Sequence, residues 1–169
     1  MRKQEGSARF LIRHLSSPVG PLQLVFDASG LCALRFLADH PGMREDESLP
    51  SDDMPLFVEE TVERLCRYLA GQRVSFADVP VSFSSGSAFE RSVWAELRKI
   101  PYGQTITYGE LAARVGKPQG ARAVGRALAA NPVPIVVPCH RVVRKDGQLG
   151  GFSAGLEKKR ALLALEGVV

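Results

Sequence analysis

The sequence predicts an α+β protein, in which a small sheet with one helix is followed by a mostly helical region. Three observations predict this fold class. Short runs rich in β-branched and aromatic residues lie within residues 10–36. Capping-box patterns, each a serine or threonine three residues before a glutamate, begin at Ser87 and Thr107. A polar, serine-rich stretch at residues 82–87 separates the two regions, so we predict two domains, residues 1–82 and residues 83–169.

The first domain is predicted to contain a small antiparallel sheet. Residues 10–14, 22–26 and 31–36 have the composition of short strands, and residues 27–30, with the sequence Asp-Ala-Ser-Gly, are typical of a hairpin turn between the last two. Residues 40–55 are polar and acidic, which predicts a surface loop.

A helix is predicted after this loop, because apolar residues recur at helical spacing from Phe57 to Leu69, with Gly71 as its C-terminal cap. The same spacing places Cys66 in the core. Cys32 lies in a predicted strand and is interpreted as structural. A metal site formed by Cys32 with His14 and His40 is the alternative, but their spacing matches no known ligand set.

The second domain is predicted to contain four helices. Ser87 opens the first, which ends before Pro101, and Thr107 opens a second, shorter one. A third helix is predicted over residues 121–130, ending before an Asn-Pro pair, and a last one over residues 156–166. The second and third of these, joined by a tight turn, form a helix-turn-helix.

Charge differs between the two domains. Residues 1–82 carry 9 Lys and Arg against 12 Asp and Glu, whereas residues 83–169 carry 13 against 6. The basic half favours a polyanionic partner, although a solvated basic face is the alternative. The third helix is rich in small residues, which indicates either tight packing within the domain or close approach to another surface, with Arg122 and Arg126 projecting from it.

The chemistry is concentrated at Cys139 and His140, within the sequence PCHRV at residues 138–142. A thiolate is a strong nucleophile, and a neighbouring base is a common way to produce one near neutral pH. Successive side chains of an extended segment point to opposite faces, so His140 can reach Cys139 only through a turn or a bridging water.

Three motifs together resemble the O6-alkylguanine-DNA alkyltransferases: RAVGR at residues 122–126, NP at residues 131–132 and PCHRV at residues 138–142. The resemblance is strong from about residue 89 to residue 167. It implies a ribonuclease H-like first domain and a winged-helix-like second domain. It also implies that the helix-turn-helix binds double-stranded DNA and that the damaged nucleotide is flipped out of the stack.

The activity implied by this resemblance is DNA repair by direct transfer of an alkyl group, such as methyl, from O6-alkylguanine, or from O4-alkylthymine, to Cys139. The product is a thioether, which has no carbonyl for water to attack. The transfer is therefore expected to be stoichiometric and irreversible, so that each molecule acts once.

The resemblance also implies the role of each catalytic residue. Cys139 is the nucleophile and alkyl acceptor, His140 is its base through a water, and Glu166 orients His140. Tyr108 donates a proton to the leaving guanine. From the residues alone, Glu166 would be interpreted as an ordinary surface residue at a helix end.

The remaining implied site residues bind DNA or the flipped base. Arg122 replaces the extruded base in the stack. The other implied contacts to DNA are Ala121, Ala123, Gly125, Arg126 and Asn131, and those to the base are Val142, Ser153 and Lys159.

Other functional classes fit the sequence less well. A non-catalytic alkyltransferase-like protein that only binds alkylated DNA would lack the nucleophile that Cys139 provides. A cysteine hydrolase would need an oxyanion hole, and a redox protein would need a resolving cysteine; neither is evident near Cys139. We expect no cofactor and no metal.

The composition also gives expectations about location. No run of about 18 apolar residues is present, and the start lacks the apolar stretch of a secretory signal. We therefore expect a soluble, intracellular protein without membrane contact. We also expect it to be monomeric and located in the cytoplasm with the nucleoid or, in a eukaryote, in the nucleus.

Overall fold

Three antiparallel strands form the first element of the fold. The computed structural model describes residues 10–38 and 55–169, and it places β1 (Leu11–Leu15), β2 (Leu22–Asp27) and β3 (Gly30–Phe36) in the order β1-β2-β3. The predicted strands are confirmed to within one residue at each end. The predicted acidic loop at residues 40–55 lies outside the described residues, except for residue 55.

The turn between β2 and β3 is held by Asp27. Its carboxylate accepts hydrogen bonds from the backbone N–H groups of Ser29 at 2.7 Å and Gly30 at 3.0 Å. This is the local side-chain to backbone pairing for which aspartate is favoured in turns, and it confirms the predicted hairpin.

Helix α1 (Leu56–Leu69) packs on the sheet, and Gly71 follows it at φ +82°, the left-handed conformation predicted for a glycine cap. The prediction for Cys66 is wrong, because its side chain is exposed. The helix instead buries Val58, Thr61, Leu65, Tyr68 and Leu69. Cys66 follows Leu65 by about 100° around the helix axis, which turns it from the sheet towards solvent.

Both predicted capping boxes are present. Helix α2 (Ala88–Leu97) begins after Ser87, and α3 (Tyr108–Arg114) begins after Thr107; in each, the cap side chain and the glutamate satisfy each other's backbone N–H groups. Helix α4 (Ala121–Ala129) completes the helix-turn-helix. It is fixed to α2 by Trp94, whose Nε1 donates to the carbonyl of Ala127 at 2.8 Å.

The segment around the motif cysteine is a turn, which is one of the two alternatives that the sequence left open. Cys139–Arg141 form one turn of 3₁₀ helix, which leads into β5 (Val142–Val143), and β5 pairs in parallel with β4 (Ile106–Thr107). Upstream, the side chain of Asn131 accepts from the N–H of Val133 at 3.0 Å and donates to the carbonyl of Val137 at 2.8 Å. These two hydrogen bonds hold residues 131–137 in a compact loop directly before the cysteine. Helix α5 (Leu156–Leu165) ends the fold.

The two halves of the chain share one continuous set of buried apolar residues. The backbone N–H of Leu34 in β3 donates to the carbonyl of Pro132 at 2.9 Å, which joins the sheet to the segment that precedes the cysteine. Val81 returns to form a single bridge with Leu31. Within residues 10–38 and 55–169, no helix is long and apolar enough to cross a bilayer.

Candidate active site

Cys139 lies at the bottom of a pocket of about 290 Å³ and is only 5% exposed. This volume is close to the lower end of the range for small-molecule sites, about 300 Å³, which suits one planar base. The pocket is formed where the end of α4 faces a glycine-rich loop. Its lining residues are Tyr108, Gly125, Leu128, Ala129, Cys139, Gly151, Phe152 and Ser153.

The thiol of Cys139 is protonated in the resting protein. Burial raises its pKa to about 11, against the opposing effects of a hydrogen bond from Asn131 and the nearby charge of Lys159. A thiol with this pKa is almost entirely neutral at pH 7. Reaction as a nucleophile therefore requires a base that removes the proton as the reaction proceeds.

The next residue, His140, carries a neutral imidazole. Its side chain is completely buried, and burial lowers its pKa, so the ring is neutral near pH 7. Its Nε2 lies 2.7 Å from Oε1 of Glu166. Because a carboxylate can only accept, the hydrogen of the neutral ring is on Nε2, and Nδ1 is left with its lone pair. Within the described part of the chain, Nδ1 is buried without a hydrogen-bond partner.

Glu166 is held by Arg141 and by backbone. The guanidinium of Arg141 donates from Nε to Oε2 at 2.9 Å and from Nη2 to Oε1 at 2.9 Å, and the N–H of Gly103 donates to Oε2 at 3.0 Å. Burial alone would raise the pKa of Glu166, but the hydrogen bonds from His140 and Arg141 outweigh it and hold that pKa well below its usual range. The carboxylate is therefore ionised although it is buried.

Tyr68 reaches the same carboxylate from α1. Its hydroxyl donates to Oε1 of Glu166 at 2.7 Å and lies 3.2 Å from Nε2 of His140. Burial and the adjacent carboxylate raise the pKa of Tyr68 well above its ordinary value, so it remains a donor. Tyr68 was not predicted as a site residue, because it is separated by 72 positions from His140 and resembles any aromatic core residue of a helix.

Tyr108 lines the cysteine pocket from the first turn of α3. Burial raises the pKa of its phenol, which keeps it protonated near neutral pH. The hydroxyl accepts a hydrogen bond from the N–H of Gly151 at 3.2 Å. Gly150 makes this possible, since a Cβ there would stand 2.6 Å from the hydroxyl oxygen.

Lys159 lies behind the pocket wall. Its Nζ donates to the carbonyls of Val142 at 2.6 Å and Gly151 at 3.1 Å, and also to that of Leu149. Desolvation lowers the pKa of Lys159 to about 8. Neither Lys159 nor Val142 lines the cysteine pocket, whereas Ser153 does. The geometry therefore gives Lys159 a role in holding the loop at residues 149–151.

A wide groove of about 1160 Å³ runs beside the cysteine pocket, and Tyr108 and Gly125 line both. Ala121 and Arg122 line the groove from α4, but Ala123 and Arg126 do not, although Arg126 is exposed. Two further arginines line it from other elements. They are Arg144, after β5, and Arg160, in α5.

Comparison with known proteins decides the family. Residues 11–83 match the family described as "6-O-methylguanine DNA methyltransferase, ribonuclease-like domain", and residues 88–168 match the one described as "6-O-methylguanine DNA methyltransferase, DNA binding domain". A methylated-DNA–protein-cysteine methyltransferase of Methanosarcina acetivorans is 42% identical over 151 residues, which cover 89% of this chain and 94% of the relative. The chain belongs to the 6-O-methylguanine DNA methyltransferase family.

Other members of the 6-O-methylguanine DNA methyltransferase family agree with this assignment. A methylated-DNA–protein-cysteine methyltransferase of Haemophilus influenzae is 39% identical and covers 89% of this chain and 82% of its own length. The crystal structure of Mycobacterium tuberculosis OGT in complex with DNA superimposes with a TM-score of 0.76 at 40% identity, covering 92% of this chain and 91% of that one. The predicted family and the α+β fold class are confirmed.

In this 6-O-methylguanine DNA methyltransferase family member, the structure brings most of the predicted residues together. Cys139, Tyr108 and Ser153 line one pocket, and Glu166 contacts His140. Arg141 was not predicted; the one signal in the sequence is that it directly precedes two valines, and a charged side chain beside an apolar segment is buried only when it is paired. Arg144 and Arg160 were also missed, because nothing in their local sequence distinguishes them from other surface cations.

Proposed function

We propose that this protein repairs DNA by moving a methyl or larger alkyl group from O6 of guanine in duplex DNA to its own Cys139. The observation that carries the proposal is a nearly buried thiol in a pocket the size of one base, beside a completely buried pair of His140 and Glu166. Membership of the 6-O-methylguanine DNA methyltransferase family supports the same reaction.

The first step is removal of the thiol proton. The free lone pair of His140 is on Nδ1, and a water molecule would relay the proton from Sγ of Cys139 to that nitrogen. The imidazolium produced is stabilised by the ionised carboxylate of Glu166, 2.7 Å from Nε2. Glu166 keeps its own negative charge throughout, because the hydrogen bonds from His140 and Arg141 hold its pKa well below its usual range.

The second step is an in-line displacement at the alkyl carbon. The sulfur electron pair forms the S–C bond, the C–O6 bond breaks, and its electron pair passes to the guanine ring. The developing negative charge on guanine is neutralised by a proton, for which the phenol of Tyr108 in the pocket wall is the candidate donor. The phenolate that remains takes a proton from solvent, and the imidazolium of His140 releases one. The product is a thioether on Cys139 and an unmodified guanine, so the protein is consumed.

Duplex DNA is the partner that delivers the base. Cys139 is only 5% exposed within its pocket, so the nucleotide must leave the helix for its O6 substituent to reach the sulfur. The wide groove beside the pocket carries Arg122 on α4, with Arg144 and Arg160 on neighbouring elements. We infer that Arg122 fills the space left by the base, and that the other two arginines contact phosphates.

The test is a stoichiometric alkylation assay. The protein is incubated with a duplex containing one O6-methylguanine, and the tryptic peptide that contains Cys139 is weighed. We expect a gain of one methyl on that peptide, a yield of one methyl per protein molecule, and no gain in Cys139→Ser. A duplex with O4-methylthymine in the same assay shows whether the second lesion is also repaired.

Two outcomes would overturn the proposal. Repair of several lesions by one protein molecule would contradict a thioether end product. Tight binding of the lesion without any methyl on Cys139 would favour the non-catalytic alkyltransferase-like class instead.

A further inference from the structure

We propose that Tyr68, contributed by the first half of the chain, is a positioning residue for alkyl transfer, because its hydroxyl fixes the Glu166 oxygen that His140 uses. This inference rests on the function proposed above. It gives the first half a direct part in the chemistry, although the nucleophile and all the other proposed active-site groups lie in the second half.

The three polar groups form a closed triangle. The Tyr68 oxygen is 2.7 Å from Oε1 of Glu166 and 3.2 Å from Nε2 of His140, and Nε2 is 2.7 Å from the same Oε1. All three side chains are buried. In this triangle the carboxylate is the acceptor for both neighbours, since the phenol and the neutral imidazole each carry one hydrogen. Tyr68 therefore helps to fix the tautomer that leaves Nδ1 free.

The ring of Tyr68 is held independently of its hydroxyl. It packs edge-on against Phe76 and Tyr102, with ring centroids 5.5 Å and 6.0 Å away. A phenylalanine would make the same ring contacts, so packing does not require the hydroxyl. A buried hydroxyl is costly unless it is bonded, and in the described structure its partners are Glu166 and His140. The hydroxyl of Tyr68 is thus explained by its contacts with His140 and Glu166.

Loss of the hydroxyl should act on the basicity of His140. Four titratable or charged groups of the described residues face His140. They are Tyr68 in α1, Lys159 in α5, Glu166 at the C-terminal end of α5, and Arg141 in the same 3₁₀ turn as His140. Without the Tyr68 donor, the charge of Glu166 is less dispersed and stabilises the imidazolium more strongly. His140 then holds its proton at a higher pH, and the neutral base becomes scarcer on the acid side.

The experiment compares pH profiles of single-turnover methyl transfer for the wild type, Tyr68→Phe and Tyr102→Phe. Tyr102 is the matched control, because its hydroxyl also bonds a residue next to Glu166, the carbonyl of Leu165 at 2.7 Å, but does not contact His140. We expect the acid limb to move up by about half a pH unit in Tyr68→Phe only, which lowers the rate on that limb about threefold. Affinity for undamaged duplex should be unchanged.

Superimposable profiles for the wild type and Tyr68→Phe would overturn the inference while leaving the proposed function intact. Failure of the wild type to transfer methyl would instead overturn the proposed function. If Tyr68→Phe does not fold, site-specific 3-fluorotyrosine at position 68 replaces it, because fluorine makes the phenol a stronger donor. The acid limb should then move to lower pH, and an unmoved limb would refute the inference.

Discussion

Oε1 of Glu166 lies 2.7 Å from Nε2 of His140 across 26 residues of chain, and both side chains are completely buried. The contact exists because α5 brings its C-terminal end against the 3₁₀ turn that carries the cysteine. A carboxylate at the C-terminus of a helix is unfavourable for the helix dipole. Here the guanidinium of Arg141 offsets this unfavourable interaction by donating to both carboxylate oxygens. The position of Glu166 is therefore explained by its contacts with Arg141 and His140 and not by helix stability.

Glu166→Gln is expected to destabilise the protein by about 3 to 5 kcal/mol, because it leaves the buried guanidinium of Arg141 without its counter-ion. Methyl transfer should also slow, since the imidazolium of His140 loses its partner. Urea denaturation measures the first effect, and single-turnover kinetics measures the second. Glu157→Gln, an exposed glutamate in the first turn of the same helix, should stay within about 0.5 kcal/mol of the wild type. Equal stability of the two variants would contradict the buried ion pair.

Gly150→Ala is expected to impair alkylation by displacing Tyr108. Gly150 has φ +71°, and an added Cβ would stand 2.6 Å from the Tyr108 hydroxyl oxygen. Gly71→Ala is the matched control, since Gly71 has φ +82° and a Cβ there would meet nothing within 4 Å. Both variants should lose about 1 to 2 kcal/mol from the left-handed backbone, but only Gly150→Ala should lose transfer rate. A normal rate in Gly150→Ala would contradict the expectation that Tyr108 must keep this position for alkylation.

Arg122→Ala is expected to slow methyl transfer from duplex DNA by about tenfold to a hundredfold, because a few kcal/mol of unstacking is no longer offset. Transfer from free O6-methylguanine base should be unaffected, since no extrusion is needed. The two substrates are compared by the mass of the Cys139 peptide. Arg67→Ala, which removes an exposed arginine of α1, controls for the loss of one positive charge. Equal slowing on both substrates would place Arg122 in the chemistry instead of in base flipping.

Acid should destabilise the fold through His140 before it acts on Glu166. Burial lowers the pKa of His140 below 6.5, so the unfolded chain binds this proton more readily than the folded protein. The stability contributed by neutral His140 is therefore complete above about pH 6.5 and is lost as the pH falls below it. Because the pKa of Glu166 is also lowered in the folded protein, a second loss of folding stability begins below about pH 4.5, as this carboxylate is protonated. The midpoints of urea denaturation at pH 7, 6 and 5 measure this loss of stability. In His140→Gln the midpoint should fall less steeply as the pH is lowered. An unchanged pH dependence would exclude His140 as the source.

Local sequence was sufficient for helices α1 to α5 and strands β1 to β3 of this protein, but not for the short strands β4 and β5. The two capping boxes at Ser87 and Thr107 set the starts of α2 and α3, and the Asp-Ala-Ser-Gly turn set the hairpin, because each of these signals is satisfied by backbone within a few residues. The pair of Cys139 and His140, with the motifs around it, was likewise sufficient to indicate the family.

Only the tertiary structure decided how the site works. The exposure of Cys66 and the turn at Cys139 depend on which helix face meets the sheet and on the bonds of Asn131, and neither can be read from apolar spacing. Tyr68 and Arg141 contact Glu166 only in the folded chain, where α1 and the turn that begins at Cys139 pack against the end of α5. Burial then sets the charge states, with a neutral thiol, a neutral imidazole and an ionised carboxylate, because the energy of a charge depends on the groups that surround it and not on its neighbours in sequence.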